Sequence, residues 1–115
     1  MITEYQFGKI VVNGKTFTRD LIVVSSSNKI IDDWWREEGH SLKLDDIELI
    51  INEDYDYLVI GTGYFGRMQV EEEVFQELES RGKKIIAKPT EDAVKEFNKL
   101  LKENQKVIGA FHITC

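Results

Sequence analysis

Gly61, Gly63 and Gly66 in the run LVIGTGYFG spell G-x-G-x-x-G directly after an apolar stretch. That spacing belongs to the phosphate-binding turn of dinucleotide folds, where a strand delivers the glycines to a helix N-terminus. The context argues against NAD or FAD. A helical apolar stripe begins only near Val70, whereas the third glycine of such a site already lies in its helix. The first turn of that helix carries Glu71, Glu72 and Glu73, which satisfy its positive end and repel a phosphate. The next apolar run, KIIAK, ends in Lys88 where a ribose would need an acid. No cofactor is expected, and the glycines read as a tight, irregular loop.

Such a loop still lies at the carboxyl edge of parallel strands, where α/β sheets usually place ligands. Thr62, Gly63, Tyr64, Arg67, Lys88 and Thr90 share that rim as candidate ligand-binding residues. Arg67 and Lys88 suit a small carboxylate or other anion; Thr90 also reads as the N-cap of the following helix. A second candidate surface is Trp34, Trp35 and Arg36. Adjacent residues of an extended segment face opposite ways, so one tryptophan faces the core and the other is free to contact a partner. His40, His112 and Cys115 have no zinc-ligand spacing, so no metal site is expected. No G-x-S-x-G elbow occurs, and Ser25 to Ser27 have no evident base, so no catalytic residue is assigned.

The elements that would position these residues are legible in outline. Residues 3–12 and 15–24 are rich in β-formers around Asn13-Gly14, a strong I′ hairpin signal. KIIDDWWREEGHSL reads as a strand or extended segment running into a loop at Gly39. Asp45 or Asp46 caps a short helix through about Asn52, with Ile47, Ile50 and Ile51 inward. Residues 57–61 read as a buried strand. A helix follows through Val70, Val74, Phe75 and Leu78 to a stop at Gly82. Residues 83–88 form another strand, and Pro89-Thr90 opens a helix with the stripe Ala93, Val94, Phe97, Leu100 and Leu101. A last strand spans 107–113. Strand, helix, strand from 57 to 88 is a βαβ unit, so a mixed sheet with flanking helices and an antiparallel N-terminal hairpin follows.

Composition sets the outer bounds. With 115 residues the chain suits one domain, 1–115, and has no room for two βαβαβ halves. The net charge of −6 and the lack of a Lys/Arg cluster leave no footprint for nucleic acid. No apolar stretch approaches the ~18 residues of a membrane span. MITEYQFGK carries an early acid and no long apolar region, unlike a signal peptide. One cysteine permits no intrachain disulfide, so a cytoplasmic location is expected. The Lys/Glu-rich surface with an Ile/Val-rich core is common in hyperthermophiles.

From end to end the chain resembles the adipogenesis-associated Mth domain family, which includes archaeal proteins and related mitochondrial assembly factors of respiratory complex I. The matching pieces are FGKIVVNGKTFTRDLIV, WWREEGHSL, LVIGTGYFG and TEDAVKEFNKLLKENQKVIGAFHITC. In the last piece the family pattern falls on Thr90, Ala93, Phe97, Asn98, Leu100, His112, Thr114 and Cys115; Phe97 stands where tyrosine is common. The resemblance implies a three-layer α/β domain with a central mixed sheet. It implies no chemistry, because the family has no established enzymatic activity.

Two functions remain open on sequence. One is a non-catalytic protein-interaction or assembly module, self-associating or with another protein, carried by the WWREEGH segment. The other is a small-ligand site, or an enzyme, at the glycine rim. His112 is expected to be buried by the helices on its face and hydrogen-bonded to a polar neighbour, because a buried imidazole without a partner costs roughly 1–3 kcal/mol.

Overall fold

Asn13 and Gly14 take φ of 49° and 81°, the left-handed pair that an I′ turn requires. The computed structural model describes all of residues 1–115. In chain order the strands are β1 (Ile2–Gln6), β2 (Lys9–Val12), β3 (Lys15–Phe17), β4 (Leu21–Val24) and β5 (Lys29–Asp32), then β6 (Ser41–Leu42), β7 (Tyr57–Thr62), β8 (Gln69–Val70), β9 (Lys84–Lys88) and β10 (Val107–His112). The helices are α1 (Glu72–Ser80) and α2 (Thr90–Lys102).

The hairpin is more finely divided than the sequence runs imply. Gly8, at φ 78°, turns the chain between β1 and β2. The 15–24 run divides between two sheets. β3 pairs with β2 and completes a three-stranded antiparallel meander, whereas β4 enters the central sheet. Burial explains the split: all four β4 residues are buried, as suits an inner strand covered on both faces.

The central sheet has the order β5-β4-β10-β7-β9. β10 is parallel to β7 and antiparallel to β4; β9 is parallel to β7. This is the expected mixed sheet, and the unit β7-α1-β9 is its βαβ. The crossover through α1 steps outward from β7 to β9, and the one through α2 steps back past β7 to β10. Right-handed connections in opposite directions place the two helices on opposite faces. The cores agree. Val74 and Leu78 of α1 pack with Leu58, Ile60, Ile108 and Ala110. Ala93, Val94, Phe97 and Leu100 of α2 pack with Val59, Val107 and Phe111, and with Ile10, Val12 and Phe17 of the meander. β10 alternates between the two clusters as a period of two demands.

Between β6 and β7 the expected helix is not continuous. Leu44–Ile47 forms a 3-10 turn, and the bonds that follow close on the third residue back, as in Ile50 N–H to Ile47 O at 3.0 Å. Asp46 turns its carboxylate back to the Lys43 N–H at 2.8 Å, the N3-to-N-cap bond that fixes the start of this turn. Ile47, Ile50 and Ile51 are nevertheless buried, as their spacing indicated.

Candidate functional site

The three glycines of the loop after β7 are close-packed against the protein's own chain. A Cβ at Gly61 would lie 2.8 Å from Thr90 Oγ1 and 3.0 Å from the Phe111 ring. Gly63 sits at φ 104°, and its Cβ would fall 2.9 Å from both the His112 ring and the Cys115 carbonyl oxygen. Gly66 packs on Pro89 at 3.1 Å. Thr90 locks this arrangement. Its N–H donates to Gly63 O at 3.0 Å, while its hydroxyl accepts the Gly63 N–H at 2.8 Å and donates to His112 O at 2.6 Å. The hydroxyl therefore joins three elements instead of capping its own helix, where Pro89 occupies the N-cap position. β8 intervenes between the loop and α1, whose first turn carries Glu72 and Glu73.

The tip of the loop is aromatic and exposed. Tyr64 and Phe65 are 46% and 60% accessible, and Phe7, from the β1–β2 turn, is 52% accessible. Their rings touch: Tyr64–Phe65 centroids are 5.1 Å apart, Phe7–Tyr64 5.8 Å and Phe7–Phe65 6.5 Å. Tyr5 lies behind them, 6.5 Å from Tyr64, and donates to Ile113 O at 3.2 Å. Burial pushes its phenol up to about 12. The Arg67 guanidinium covers Phe65 at 5.3 Å. Lys88 reaches only Glu96, at 4.0 Å. Of the six rim residues the structure brings Thr62, Gly63 and Thr90 together in the interior. Tyr64, Arg67 and Lys88 stand on the surface.

Beneath the loop lies a buried polar network. His112 Nδ1 is 2.8 Å from Asp20 Oδ2 and 3.1 Å from Arg36 Nη2. Arg36 Nη1 is 2.9 Å from the same Asp20 oxygen. A single Nδ1 cannot both donate to Asp20 and accept from Arg36. The carboxylate is the stronger claimant, which places a proton on Nδ1; Nε2 has no protein partner. Asp20 Oδ1 accepts the Ile113 N–H at 2.8 Å. Burial alone would raise the Asp20 carboxyl. Hydrogen bonds from His112 and Ile113, with the charges of His112 and Arg36, outweigh it and hold the carboxyl below its ordinary value.

His112 is thus buried and hydrogen-bonded, as expected, but what covers it differs. Arg36 and the glycine loop close over the ring in place of a helix. Arg36 is also corrected: grouped on sequence with Trp34 and Trp35 as a partner contact, it is 8% accessible, stacked on Trp34 at 4.7 Å and bonded to Gly39 O at 3.3 Å. Asp20 has no sequence signal of its own. It precedes β4, and only the β4–β10 register sets it beside His112.

The family described as "Protein of unknown function (DUF498/DUF598)" matches residues 2–112. The chain belongs to that family. Solved structures agree in fold. A conserved hypothetical protein of Pyrococcus horikoshii OT3 is 28% identical, with 100% of this chain and 99% of that one covered and a TM-score of 0.83. An outer membrane protein of Bartonella henselae is 22% identical, with 99% and 94% covered and a TM-score of 0.82. A Mth938-like domain of Bordetella pertussis is 18% identical, with 98% and 85% covered and a TM-score of 0.70. The Mth domain resemblance therefore holds.

In this DUF498/DUF598 chain the positions singled out by the Mth resemblance act as ties between layers. Asn98 donates to Ile2 O at 2.7 Å and accepts the Ile2 N–H at 3.0 Å, so α2 extends the hydrogen bonding of β1. Thr90 and His112 tie the loop, α2, β10 and the Asp20 turn. The tryptophan pair splits as an extended segment requires. Trp34 is 5% accessible and donates Nε1–H to Asp46 O at 3.0 Å, whereas Trp35 is 77% accessible. No helix is long and apolar enough to cross a membrane.

Proposed function

We propose that the chain is a non-catalytic protein-interaction module of the assembly type, with the glycine-loop tip as a docking face. The observation that carries this reading is the contiguous set of Phe7, Tyr64 and Phe65, three large aromatic rings left about half exposed. Exposed apolar clusters of this kind mark contact surfaces, and aromatic and Arg side chains dominate binding hot spots. The loop is held by backbone bonds from Tyr64 to Thr114, Gly66 to Gly63 and Met68 to Thr62. A surface already ordered before contact loses little conformational entropy on binding. Arg67 covers Phe65, so a partner segment with an acidic group beside apolar ones fits.

Photo-crosslinking tests this. With p-benzoylphenylalanine replacing Phe65, cells expressing the protein should yield one discrete crosslinked partner, competed away by the unmodified protein. A diffuse smear, or no adduct above that from an exposed position on α2, would reject the tip as a docking face.

A second reading is a small-anion site formed by Thr62, Gly63, Tyr64, Arg67, Lys88 and Thr90. It is favoured by Arg67, which stacks on Phe65 and has no carboxylate within 4.0 Å. A thermal-shift screen of small carboxylates and nucleotides tests it, since a ligand that binds only the native state raises the melting point. The shift should vanish in Arg67→Ala or Lys88→Ala; a hit indifferent to both would place the anion elsewhere.

A further inference from the structure

At the other end of the same rim, Trp35 forms one wall of a cleft of about 540 Å³. Register fixes their relation: Asp32 opposes Leu21, Leu21 opposes Phe111, Phe111 opposes Gly61 and Gly61 opposes Lys88. The cleft mouth and the glycine loop therefore share one edge of the sheet, about 14 Å apart over three strand spacings. We infer that this cleft is a second docking surface, which takes a basic segment of another protein: an arginine or lysine flanked by an apolar side chain.

The cleft has an apolar floor and an acidic rim. Ile31 and Trp34 line the floor and Leu49 its margin; Asp33, Glu37 and Asp45 stand around it with Asp46, and no Lys or Arg lines it. The carboxylates are unequally engaged. Asp46 is satisfied internally, accepting the Lys43 N–H at 2.8 Å and the Glu37 N–H at 3.3 Å. Asp33 meets Arg19 at 3.2 Å between two well-exposed side chains. Glu37 meets Lys43 only at 3.9 Å, and Asp45 has no cation within 4.0 Å.

An indole face attracts a cation through its ring quadrupole, and carboxylates around an apolar hollow focus negative potential in it, which draws a cation in. Arg36, Lys83, Lys84, Arg67 and Lys15 all cover aromatic rings of this molecule, but Trp35 has no such partner. The group that satisfies wall, floor and rim together has an apolar stem and a cationic head, which describes Arg or Lys. Leu49, 49% accessible beside the cleft, offers a contact for the apolar neighbour of that residue. A lone small cation would leave it bare. This surface shares no residue with the loop tip, so the two readings succeed or fail separately.

The probe is a short fluorescein-labelled peptide of alternating leucine and arginine, capped at both ends, read by anisotropy as protein is added. Saturable binding is expected, with no comparable binding of the leucine–glutamate counterpart. Trp35→Ala should weaken it about tenfold, and Asp45→Asn with Glu37→Gln about fivefold. Phe65→Ala should leave it unchanged. All these side chains are exposed, and unaltered circular dichroism and melting confirm that the variants fold. Equal binding of the glutamate peptide would overturn the inference, as would indifference to Trp35→Ala. Full competition by tetramethylammonium would also overturn it, by making the site one for small cations. Concentration-dependent self-association abolished by Arg67→Glu would make the occupant a second copy of this chain and overturn the assignment to another protein.

Discussion

On one face of the central sheet, α2 and the β1–β3 meander bury Val59, Phe97 and Phe111 with regular structure. On the other, α1 supplies Val74 and Leu78 and the two-residue β6 supplies Leu42, while Trp34, Ile47, Ile50 and Tyr55 come from irregular chain between β5 and β7. The difference lies in how backbone polar groups are satisfied. Helix and sheet ladders pair their own N–H and C=O groups, so the first core can be almost wholly apolar. The irregular face must recruit side chains: Trp34 to Asp46 O, Asp46 to the Lys43 and Glu37 N–H groups, Arg36 to Gly39 O. Polar groups thereby enter the interior: Arg36 and His112 are buried on that side, with Asp20 partly buried beside them.

The apolar face should break hardest where packing is tightest. Phe97 meets Phe111 edge-on at 5.6 Å, above Gly109, whose added Cβ would lie 2.5 Å from the Phe111 ring and 2.8 Å from Phe97. Phe97→Ala empties this contact and should cost about 4 kcal/mol. The urea midpoint measures it. A loss below about 1 kcal/mol, the scale of an ordinary surface change, would show that α2 closes the gap and that this face is no better packed than the other.

The irregular face should break through charge. Asp20→Ala leaves Arg36 buried without its counter-ion and should cost about 3 kcal/mol near neutral pH. The pH dependence follows from the direction of the shift. The Asp20 carboxyl sits below its ordinary value of 3.8, so its contribution is full above that value and is lost as pH falls through the lower native one. Wild type and variant should therefore converge in acid. Parallel stability curves down to the acid transition would show that Asp20 contributes by packing alone.

A smaller effect probes the seam where the loop closes over this network. Gly63→Ala meets a left-handed φ of 104° as well as the His112 ring and the Cys115 carbonyl. About 2 kcal/mol of destabilisation is expected. An unchanged melting temperature would mean that the loop and the C-terminal residues shift freely together.

How much of each face could be read from sequence follows the same division. The α2 stripe, the β10 alternation and the Asn13-Gly14 turn are local patterns, and each fixes its element without knowledge of the rest. The break at Gly8 and the divergence of β3 from β4 depend on which sheet each run joins, a tertiary choice that local β propensity does not encode. The polar network is less legible still. His112 lies 92 residues from Asp20 and 76 from Arg36, and no periodicity connects positions so far apart. The rim was partly legible: strand ends placed Thr62, Gly63 and Thr90 on one edge. The aromatic tip was not, because Phe7 reaches it from a turn in the other sheet.

The smallest stability effect gives the sharpest contrast between fold and function on the irregular face. Trp34 and Trp35 are neighbours of the same type, yet one is enclosed in the core with its indole N–H bonded and the other is 77% accessible. Trp35 makes no hydrogen bond, ring stacking or cation contact within the chain. Trp35→Ala should therefore change stability by less than about 0.5 kcal/mol. Trp34→Ala, which opens a cavity and orphans the Asp46 carbonyl, should cost about 3–5 kcal/mol. Paired denaturation curves would test this, and similar losses for both would show that Trp35 is structural cover for the β5 edge. If Trp35→Ala leaves folding intact and weakens the leucine–arginine peptide, the ring is retained for what it meets outside the chain.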